Sequence, residues 1–191
     1  MSSRLGAMIL AGGASSRMGV DKATVLWRGR TAVERVAALA TAIGAEPVIT
    51  VGAGDYGLPL VLDEQPLGGP VGGVLAGATA LRAAGCARAL VLAVDAPTLQ
   101  AADLAPLLAA AGPGAAYEGL HLPMVVELAA IPADAAAGWP LGRLVERAGL
   151  SRPACPPEVA TRIRGANTPG ERDALLASMP PDDNAENSGA D

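Results

Sequence analysis

An apolar segment that runs directly into a glycine-rich, basic loop is the feature that most restricts how this chain can fold. Residues 5–10 are predicted to form a buried strand, and residues 10–22 read LAGGASSRMGVDK. The loop ends in Lys22, the only lysine beside thirteen arginines in the chain. Backbone N–H groups of a glycine-rich turn and a compact ammonium group both bind phosphate groups. The pattern therefore predicts a phosphate-binding loop at the end of a sheet strand.

Two better-known glycine motifs do not describe this chain. The P-loop requires a G-x-x-x-x-G-K-[ST] spacing, which residues 10–22 lack. A literal G-x-G-x-x-G occurs at residues 52–57, but the dinucleotide-binding fingerprint must open a helix. The residues that follow it, 58–62, instead have the apolar pattern of another strand. Residues 52–57 are therefore not expected to bind a dinucleotide.

Apolar strands and helices alternate along most of the chain. The predicted strands are 5–10, 47–51, 58–62, 88–94, 115–117, 123–128 and 159–163. The predicted helices are 32–43, 74–84, 101–111, 141–148 and 171–178, the first opened by a capping box of Thr31 and Glu34. This alternation predicts a three-layer α/β/α architecture with a mostly parallel, Rossmann-like sheet. Ligand sites in such folds lie at the carboxyl ends of the parallel strands.

The composition argues against several classes of protein. A net charge of −5 does not suit a nucleic-acid-binding surface, and no apolar stretch reaches the roughly 18–20 residues of a membrane span. Without a signal-peptide core near residue 1, the protein is expected to be soluble and cytoplasmic. Two isolated cysteines predict buried free thiols rather than a disulfide framework or zinc site. The length suits one domain, 1–179, followed by an acidic disordered tail, 180–191.

Asp95 directly follows a continuous apolar strand, 88–94. A carboxylate at the tip of a buried strand lies where open α/β sheets place their reactive groups. Magnesium prefers one or two carboxylates plus substrate phosphates to a full protein cage, so Asp95 is the predicted Mg²⁺ ligand. The alternative role is an N-cap for the next helix, which Thr98 or Asp103 could also provide.

Residues 10–22 also resemble the signature L-A-G-G-x-S-x-R-M-G-x-D-K of nucleotidyltransferases of the molybdenum cofactor guanylyltransferase type. The chain matches every specified position: Leu10, Ala11, Gly12, Gly13, Ser15, Arg17, Met18, Gly19, Asp21 and Lys22. The resemblance implies the nucleotide-diphospho-sugar transferase fold and transfer of GMP from GTP to Mo-molybdopterin, with Mg²⁺ as cofactor and pyrophosphate as product. It also implies transient contact with proteins that make or receive the molybdenum cofactor.

The resemblance assigns roles to individual residues. Lys22, Arg17 and Asp95 are the predicted catalytic residues: the two cations offset charge on the leaving pyrophosphate, and Asp95 holds Mg²⁺ and the nucleotide. Further nucleotide contacts are expected from Leu10, Ala11, Gly12, Gly13, Gly19, Asp63, Gly69, Pro70 and Gly72. The triphosphate would lie on backbone N–H groups between Ala11 and Gly19. This mechanism requires Lys22 and Asp95 to face one cleft.

Three of the assignments have structural alternatives. Residues 63–73 resemble the family's segment for the base and ribose, but they also suit a capped turn into a helix that starts at Val74. Asn167 belongs to an Asn-Thr-Pro element implied to contact substrate, where N-capping of the last helix would explain the same residues. His121 stands where relatives often show His-Pro. We expect it to position substrate or support a strand, because an anionic phosphate acceptor needs no general base.

The chain departs from the family pattern at two positions. Gly52 and Gly165 stand where relatives often carry asparagine, so polar contacts to substrate or metal are in question there. These departures leave open a catalytically silent nucleotide-binding or regulatory domain. Two further alternatives are a molybdopterin cytidylyltransferase, whose loop typically reads L-A-A-G, and a sugar-phosphate nucleotidyltransferase, which is usually a longer chain.

Overall fold

The computed structural model describes residues 4–12, 21–63, 69–166 and 168–179. Its strands are β1 (Leu5–Leu10), β2 (Leu26–Trp27), β3 (Arg30–Thr31), β4 (Val48–Gly52), β5 (Leu60–Leu62), β6 (Arg88–Ala93), β7 (Gly114–Ala116) and β8 (Met124–Glu127). Six of them form one sheet in the order β5-β4-β1-β6-β8-β7, and β2 and β3 form a separate two-stranded ribbon.

The six-stranded sheet has a parallel part and an antiparallel part. β1 pairs in parallel with both β4 and β6, and β4 pairs in parallel with β5. β8 runs antiparallel to β6 and to β7. The prediction of a mostly parallel sheet is therefore confirmed, and the first strand of the chain lies in the interior of that sheet.

Helices cover both faces of the sheet. They are α1 (Ala32–Ala42), α2 (Gly69–Ala83), α3 (Ala101–Leu108), α4 (Leu141–Arg147), α5 (Pro157–Arg164) and α6 (Pro169–Ser178), with 3-10 turns at Lys22–Thr24 and Leu128–Ala130. Ala7 and Ile9 of β1 pack in a core with α1, α3, α5 and α6, whereas Met8 packs in a second core with α2 and α4. Because neighbouring strand residues point to opposite faces, the two cores lie on the two sides of the sheet. The three-layer prediction is confirmed.

Small residues let α2 lie close to the sheet. A carbon atom added at Gly77 would lie 2.7 Å from Met8 Sδ, and one added at Gly6 would lie 2.7 Å from Leu81 Cδ2. Larger side chains at either position would push the helix away from the strands and leave unfilled space between them. This packing holds α2 close against β1.

One predicted element is of the wrong type, and two predicted helix starts are too late. Residues 159–163, predicted as a strand, belong to α5; its buried residues Val159 and Ile163 are four positions apart, as one face of a helix requires. Helix α2 begins at Gly69 rather than at Val74, and α6 begins at Pro169 rather than at Glu171. The β2–β3 ribbon has no counterpart in the predicted elements.

Other expectations are tested only in part. Cys86 is a buried free thiol, whereas Cys155 is half-buried. In the described part of the chain, no helix combines the length and the apolar character needed to cross a membrane. The proposed acidic tail, 180–191, lies outside the described residues.

Candidate active site

The carboxyl ends of the parallel strands gather predicted site residues at one edge of the sheet. Leu10 ends β1, Asp63 follows β5, and Asp95 lies two residues beyond β6. One more hydrogen bond extends the ladder past β6, from the Val94 N–H to the Leu10 carbonyl at 3.2 Å. This bond holds the approach to Asp95 beside the end of β1.

Lys22 and Asp95 line the same cleft, which has a volume of about 470 Å³. Lys22 begins a 3-10 turn in which the Asp21 carboxylate accepts the Ala23 N–H at 3.0 Å. A local side-chain cap of this kind fixes the turn and with it the start of the Lys22 side chain. The structure thus brings into one cleft the two groups that the predicted mechanism requires there.

The surroundings of Asp95 change the pKa of its carboxyl group in two opposing ways. The residue is exposed to the cleft, yet the protein around it removes enough water to raise the pKa of its carboxyl group. The nearby Lys22 ammonium acts in the opposite direction and lowers that pKa, by less than burial raises it. A carboxylate that has lost part of its hydration gains electrostatic stabilisation from a cation placed beside it.

Asp103, not Asp95, serves the start of helix α3. The Gln100 N–H donates to Asp103 Oδ2 at 2.9 Å, at the first turn of the helix. Arg162 donates to the same carboxylate through Nε at 2.8 Å and through its terminal nitrogen at 2.6 Å. The alternative role of Asp95 as the cap of this helix is therefore wrong.

Asp95 also lines a second cavity, of about 270 Å³. The polar side chains of its wall include His121 and Arg164, both exposed to solvent. The His121 ring lies over the start of α4, where a carbon atom added at Gly142 would be 3.1 Å from its Nε2. His121 therefore reaches the neighbourhood of Asp95, but in a different cavity from Lys22.

The second predicted nucleotide segment forms the start of a helix rather than a turn before one. Gly69 and Pro70 are exposed in the first turn of α2, and Gly69 has a φ of +70°, which favours glycine. A carbon atom added at Gly72 would lie 3.4 Å from Asp63 Oδ1. The structure therefore brings Asp63 together with the first turn of α2, where a carboxylate is electrostatically favoured.

At the start of the signature loop, the main chain is already paired within the sheet. The Ala11 N–H donates to the Val51 carbonyl at 2.9 Å, and the Leu10 carbonyl accepts the Val94 N–H. The Ala11 N–H therefore already has an acceptor within the sheet. Gly12, the next residue, is exposed. Gly13, Arg17, Gly19 and Asn167 lie outside the described residues.

The cleft has a wall that sequence reasoning missed, formed by Trp27, Arg172 and Asp173. The Arg172 guanidinium lies 5.5 Å from the centroid of the Trp27 ring and donates to the Leu26 carbonyl. Residues 26 and 172 are 146 positions apart, so no local pattern could have joined them. The Thr-x-x-Glu capping box was the available signal for α6: the Thr168 hydroxyl accepts the Glu171 N–H at 3.2 Å.

Comparisons with known proteins identify the family of this chain. A family model described as a MobA-like NTP transferase domain matches residues 7–163. The chain belongs to this family. A protein from Opitutus terrae named "Probable molybdenum cofactor guanylyltransferase" is 34% identical, over 90% of this chain and 94% of that protein. A molybdenum cofactor guanylyltransferase from Xanthomonas euvesicatoria is 39% identical over 63% of each chain.

Comparison of the structure with solved structures supports the predicted class of fold. A solved nucleotidyl transferase from Methanothermobacter superposes with a TM-score of 0.68 at 19% identity, covering 92% of this chain and 99% of that one. The predicted nucleotidyltransferase fold is thereby confirmed. The family match includes Lys22, Asp63 and Asp95 but ends before Gly165.

Both departures from the pattern of MobA-like NTP transferases are places where two backbones nearly touch. Gly165 has a φ of +63°, and a carbon atom added to it would lie 2.1 Å from the Asp95 carbonyl oxygen. Gly52 has a φ of +151°, and an added carbon would lie 3.0 Å from the Gly12 nitrogen. A side chain at Gly165 would have to displace the Asp95 backbone. Close backbone approach therefore accounts for glycine at both positions.

Proposed function

We propose that this protein transfers GMP from GTP to the terminal phosphate of Mo-molybdopterin and releases pyrophosphate. The observation that carries the proposal is the placing of Lys22 and Asp95 on one cleft, with Asp95 also on a second cavity. Such an arrangement suits two phosphate-bearing substrates that meet at one carboxylate. The names of the two relatives support guanine as the base and the molybdenum cofactor as the acceptor.

The reaction needs positioning and charge neutralisation more than proton transfer. An oxygen atom of the acceptor phosphate forms a bond to the α-phosphorus of GTP, and the bond from that phosphorus to the β-bridging oxygen breaks. The electron pair leaves with pyrophosphate, whose growing charge Lys22 offsets together with Arg17. The acceptor is already anionic at neutral pH, so His121 is assigned to positioning and not to proton abstraction.

Asp95 would hold the magnesium ion. Among the described residues, no group of three or more His, Cys, Asp or Glu side chains could form a full metal cage. One cleft-facing carboxylate that substrate phosphates can complete is the donor set that Mg²⁺ accepts. When bound, the ion would neutralise phosphate charge and orient the phosphate groups. Asp95 itself contributes a carboxyl group whose pKa is raised by burial, and a cation beside it would stabilise its charged form.

The two cavities suggest which substrate lies where. Because Lys22 lines the larger cleft, we assign the triphosphate to that cleft, and we assign the guanosine to Asp63 and the first turn of α2. Arg164 and His121 are then available to bind the acceptor phosphate in the smaller cavity. An arginine suits this role because its planar donors match phosphate oxygens.

Pyrophosphate release is the direct test. Wild-type protein with Mo-molybdopterin and Mg²⁺ should release pyrophosphate with GTP and much less with CTP, and thermal shifts should rank the nucleotides in the same order. Lys22→Ala and Asp95→Ala should each reduce turnover by about a thousandfold or more, because each removes charge stabilisation at the reacting phosphates. Their far-UV circular dichroism should match wild type.

The other candidates predict different results. Preference for CTP would indicate a cytidylyltransferase. Tight GTP binding without pyrophosphate release would indicate a regulatory nucleotide-binding domain. Wild-type turnover in Lys22→Ala or Asp95→Ala would remove the mechanism itself.

A further inference from the structure

Residues 52–57, at the end of β4 and in the loop that follows it, carry the G-x-G-x-x-G pattern, for which the proposed function gives no role. Gly52 ends β4, and residues 53–59 form the β4–β5 loop. This loop does not open a helix, since β5 follows it. Together with Gly52 it contacts the signature loop at both of its described ends.

The first contact is at residues 11 and 12. A carbon atom added at Gly52 would lie 3.2 Å from the Ala11 carbonyl carbon and 3.0 Å from the Gly12 nitrogen. The Ala11 N–H also donates to the carbonyl of Val51. The end of β4 therefore lies directly against the point where the signature loop leaves β1.

The second contact is a hydrogen bond across 35 positions of the chain. The Tyr56 hydroxyl donates to Asp21 Oδ2 at 2.8 Å, while Asp21 Oδ1 accepts the Ala23 N–H at 3.0 Å. One carboxylate thus joins the β4–β5 loop to the 3-10 turn that begins with Lys22. Burial, followed by the bond to Asp21, raises the pKa of Tyr56 to about 12, so this hydroxyl stays a donor at neutral pH.

Gly54 makes room for the tyrosine. A carbon atom added at Gly54 would lie 2.3 Å from the Tyr56 hydroxyl oxygen and 2.4 Å from Cζ of its ring. The loop itself is closed by the Asp55 carboxylate, which accepts the Gly57 N–H at 2.9 Å. The spacing of glycine and tyrosine therefore sets the direction from which the hydroxyl reaches Asp21.

We infer that Tyr56 is a positioning residue that holds the Lys22 turn, through Asp21, in the place where the lysine faces Asp95. The inference rests on the proposed function, because it assumes that Lys22 binds the triphosphate. Tyr56 itself does not contact the reacting atoms. Its hydroxyl limits the movement of the Asp21–Ala23 turn, so less conformational freedom is lost when a nucleotide binds Lys22.

The two tyrosines of the chain provide a matched pair of variants. Tyr56→Phe removes the hydroxyl bonded to Asp21, whereas Tyr117→Phe removes one bonded to the Asp103 carbonyl at 2.6 Å, within the core. We expect Tyr56→Phe to lower kcat/KM for GTP about tenfold, the usual effect of losing a hydrogen bond to a charged group. Tyr117→Phe should leave kcat/KM within about twofold of wild type, although both hydroxyls are bonded.

A spectroscopic readout separates positioning from general destabilisation. Lys22 is the only lysine, so reductive methylation with ¹³C-formaldehyde labels this side chain and the amino terminus alone. In Tyr56→Phe the Lys22 methyl signal should move toward the chemical shift of a free lysine, while in Tyr117→Phe it should keep the wild-type position. An unchanged Lys22 signal in Tyr56→Phe would overturn the inference.

A second pair of variants tests the inference independently, in case Tyr56→Phe does not fold. Gly54→Ala should displace the tyrosine and move the Lys22 signal in the same direction. Gly170→Ala should not, because no described atom other than those of its own helix turn lies within 4 Å of the added carbon. If wild-type protein releases no pyrophosphate with GTP, the proposed function fails. If wild-type protein does release pyrophosphate, but Tyr56→Phe matches Tyr117→Phe in both kcat/KM and the position of the Lys22 signal, only the inference about Tyr56 fails.

Discussion

The parallel and antiparallel parts of the sheet deliver residues to the site in different ways. In β1, β5 and β6, the strand runs toward the site and its carboxyl end carries Leu10, Asp63 or the approach to Asp95. β8 runs the other way: Met124, its first residue, pairs with Val91 near the end of β6. In the antiparallel part, the residues that lie at this edge are therefore those before a strand, and His121, which precedes β8, is one of them.

This difference separates the two substrates of the proposed reaction. Leu10 and Asp63 lie at the ends of parallel strands, and the Lys22 turn and the first turn of α2 lie on this side of the site. The cavity of His121 and Arg164 belongs to the region of β8, α4 and α5. Asp95 lines both cavities. Changes on the parallel side should therefore act on the nucleotide, and changes on the antiparallel side on the acceptor.

Among changes that leave the side chains of Lys22 and Asp95 in place, the largest effect is expected where the two parts meet. Gly165→Ala places a carbon atom 2.1 Å from the Asp95 carbonyl oxygen in a backbone with φ of +63°. The Asp95 backbone must shift, and a misplacement of about 1 Å at a reacting centre can cost about a hundredfold in kcat. Gly170→Ala, with open space around the new carbon, is the control. Equal kcat values in the two variants would contradict the role of this contact.

A smaller effect should separate the two substrates. Arg164→Ala should raise KM for Mo-molybdopterin about tenfold and leave KM for GTP unchanged, because it removes charge-assisted bonds to one phosphate only. Steady-state kinetics with each substrate varied in turn would measure this. Arg30→Ala, an exposed arginine on β3, should change neither value. A rise in KM for GTP alone would place the acceptor elsewhere.

The smallest expected effect is a shift in the pH dependence of Mg²⁺ binding. Mg²⁺ binding in the presence of GTP should weaken as Asp95 is protonated, at a pH above the usual aspartate range because burial raises its pKa. Lys22→Ala removes the cation that lowers this pKa, so the midpoint should move to higher pH, by about one unit or less. Calorimetric titrations from pH 4 upward would record it, with Asp95→Asn as the reference. A midpoint that moves to lower pH in Lys22→Ala would contradict the assigned electrostatics.

The sequence was informative wherever one short segment carried the information. The strand that precedes the signature and the strand that precedes Asp95 each combine an apolar run with a chemical group, and the structure contains both strands and brings Lys22 and Asp95 into one cleft. The strand prediction for 159–163 was wrong because a short apolar segment fits a helix face as well as a strand. Pro157 at the first turn of α5 was the overlooked signal.

The rest depended on distant contacts. Trp27 and Arg172 form a cleft wall only after α6 packs beside the β2–β3 ribbon. In the sequence, Gly52 and Gly165 indicated only that polar side chains found in relatives were absent. In the structure, each glycine lies against a backbone segment from another part of the chain, which explains why glycine is present. Tyr56 carried no recognisable pattern of its own. Its partner Asp21 was visible in the signature, but the bond between them was not.

The interior position of β1 has a consequence for biosynthesis. Its backbone pairs on one side with β4 and on the other with Arg88–Ala93, so residues near the amino terminus wait for partners more than eighty positions later. During synthesis, one backbone edge of β1 stays without its partner strand until β6 has been made, although α1 and α2, which come earlier in the chain, can already pack on Ala7, Met8 and Ile9. The sheet edge that carries Leu10 and Asp95 is therefore complete only after β6 has paired with β1.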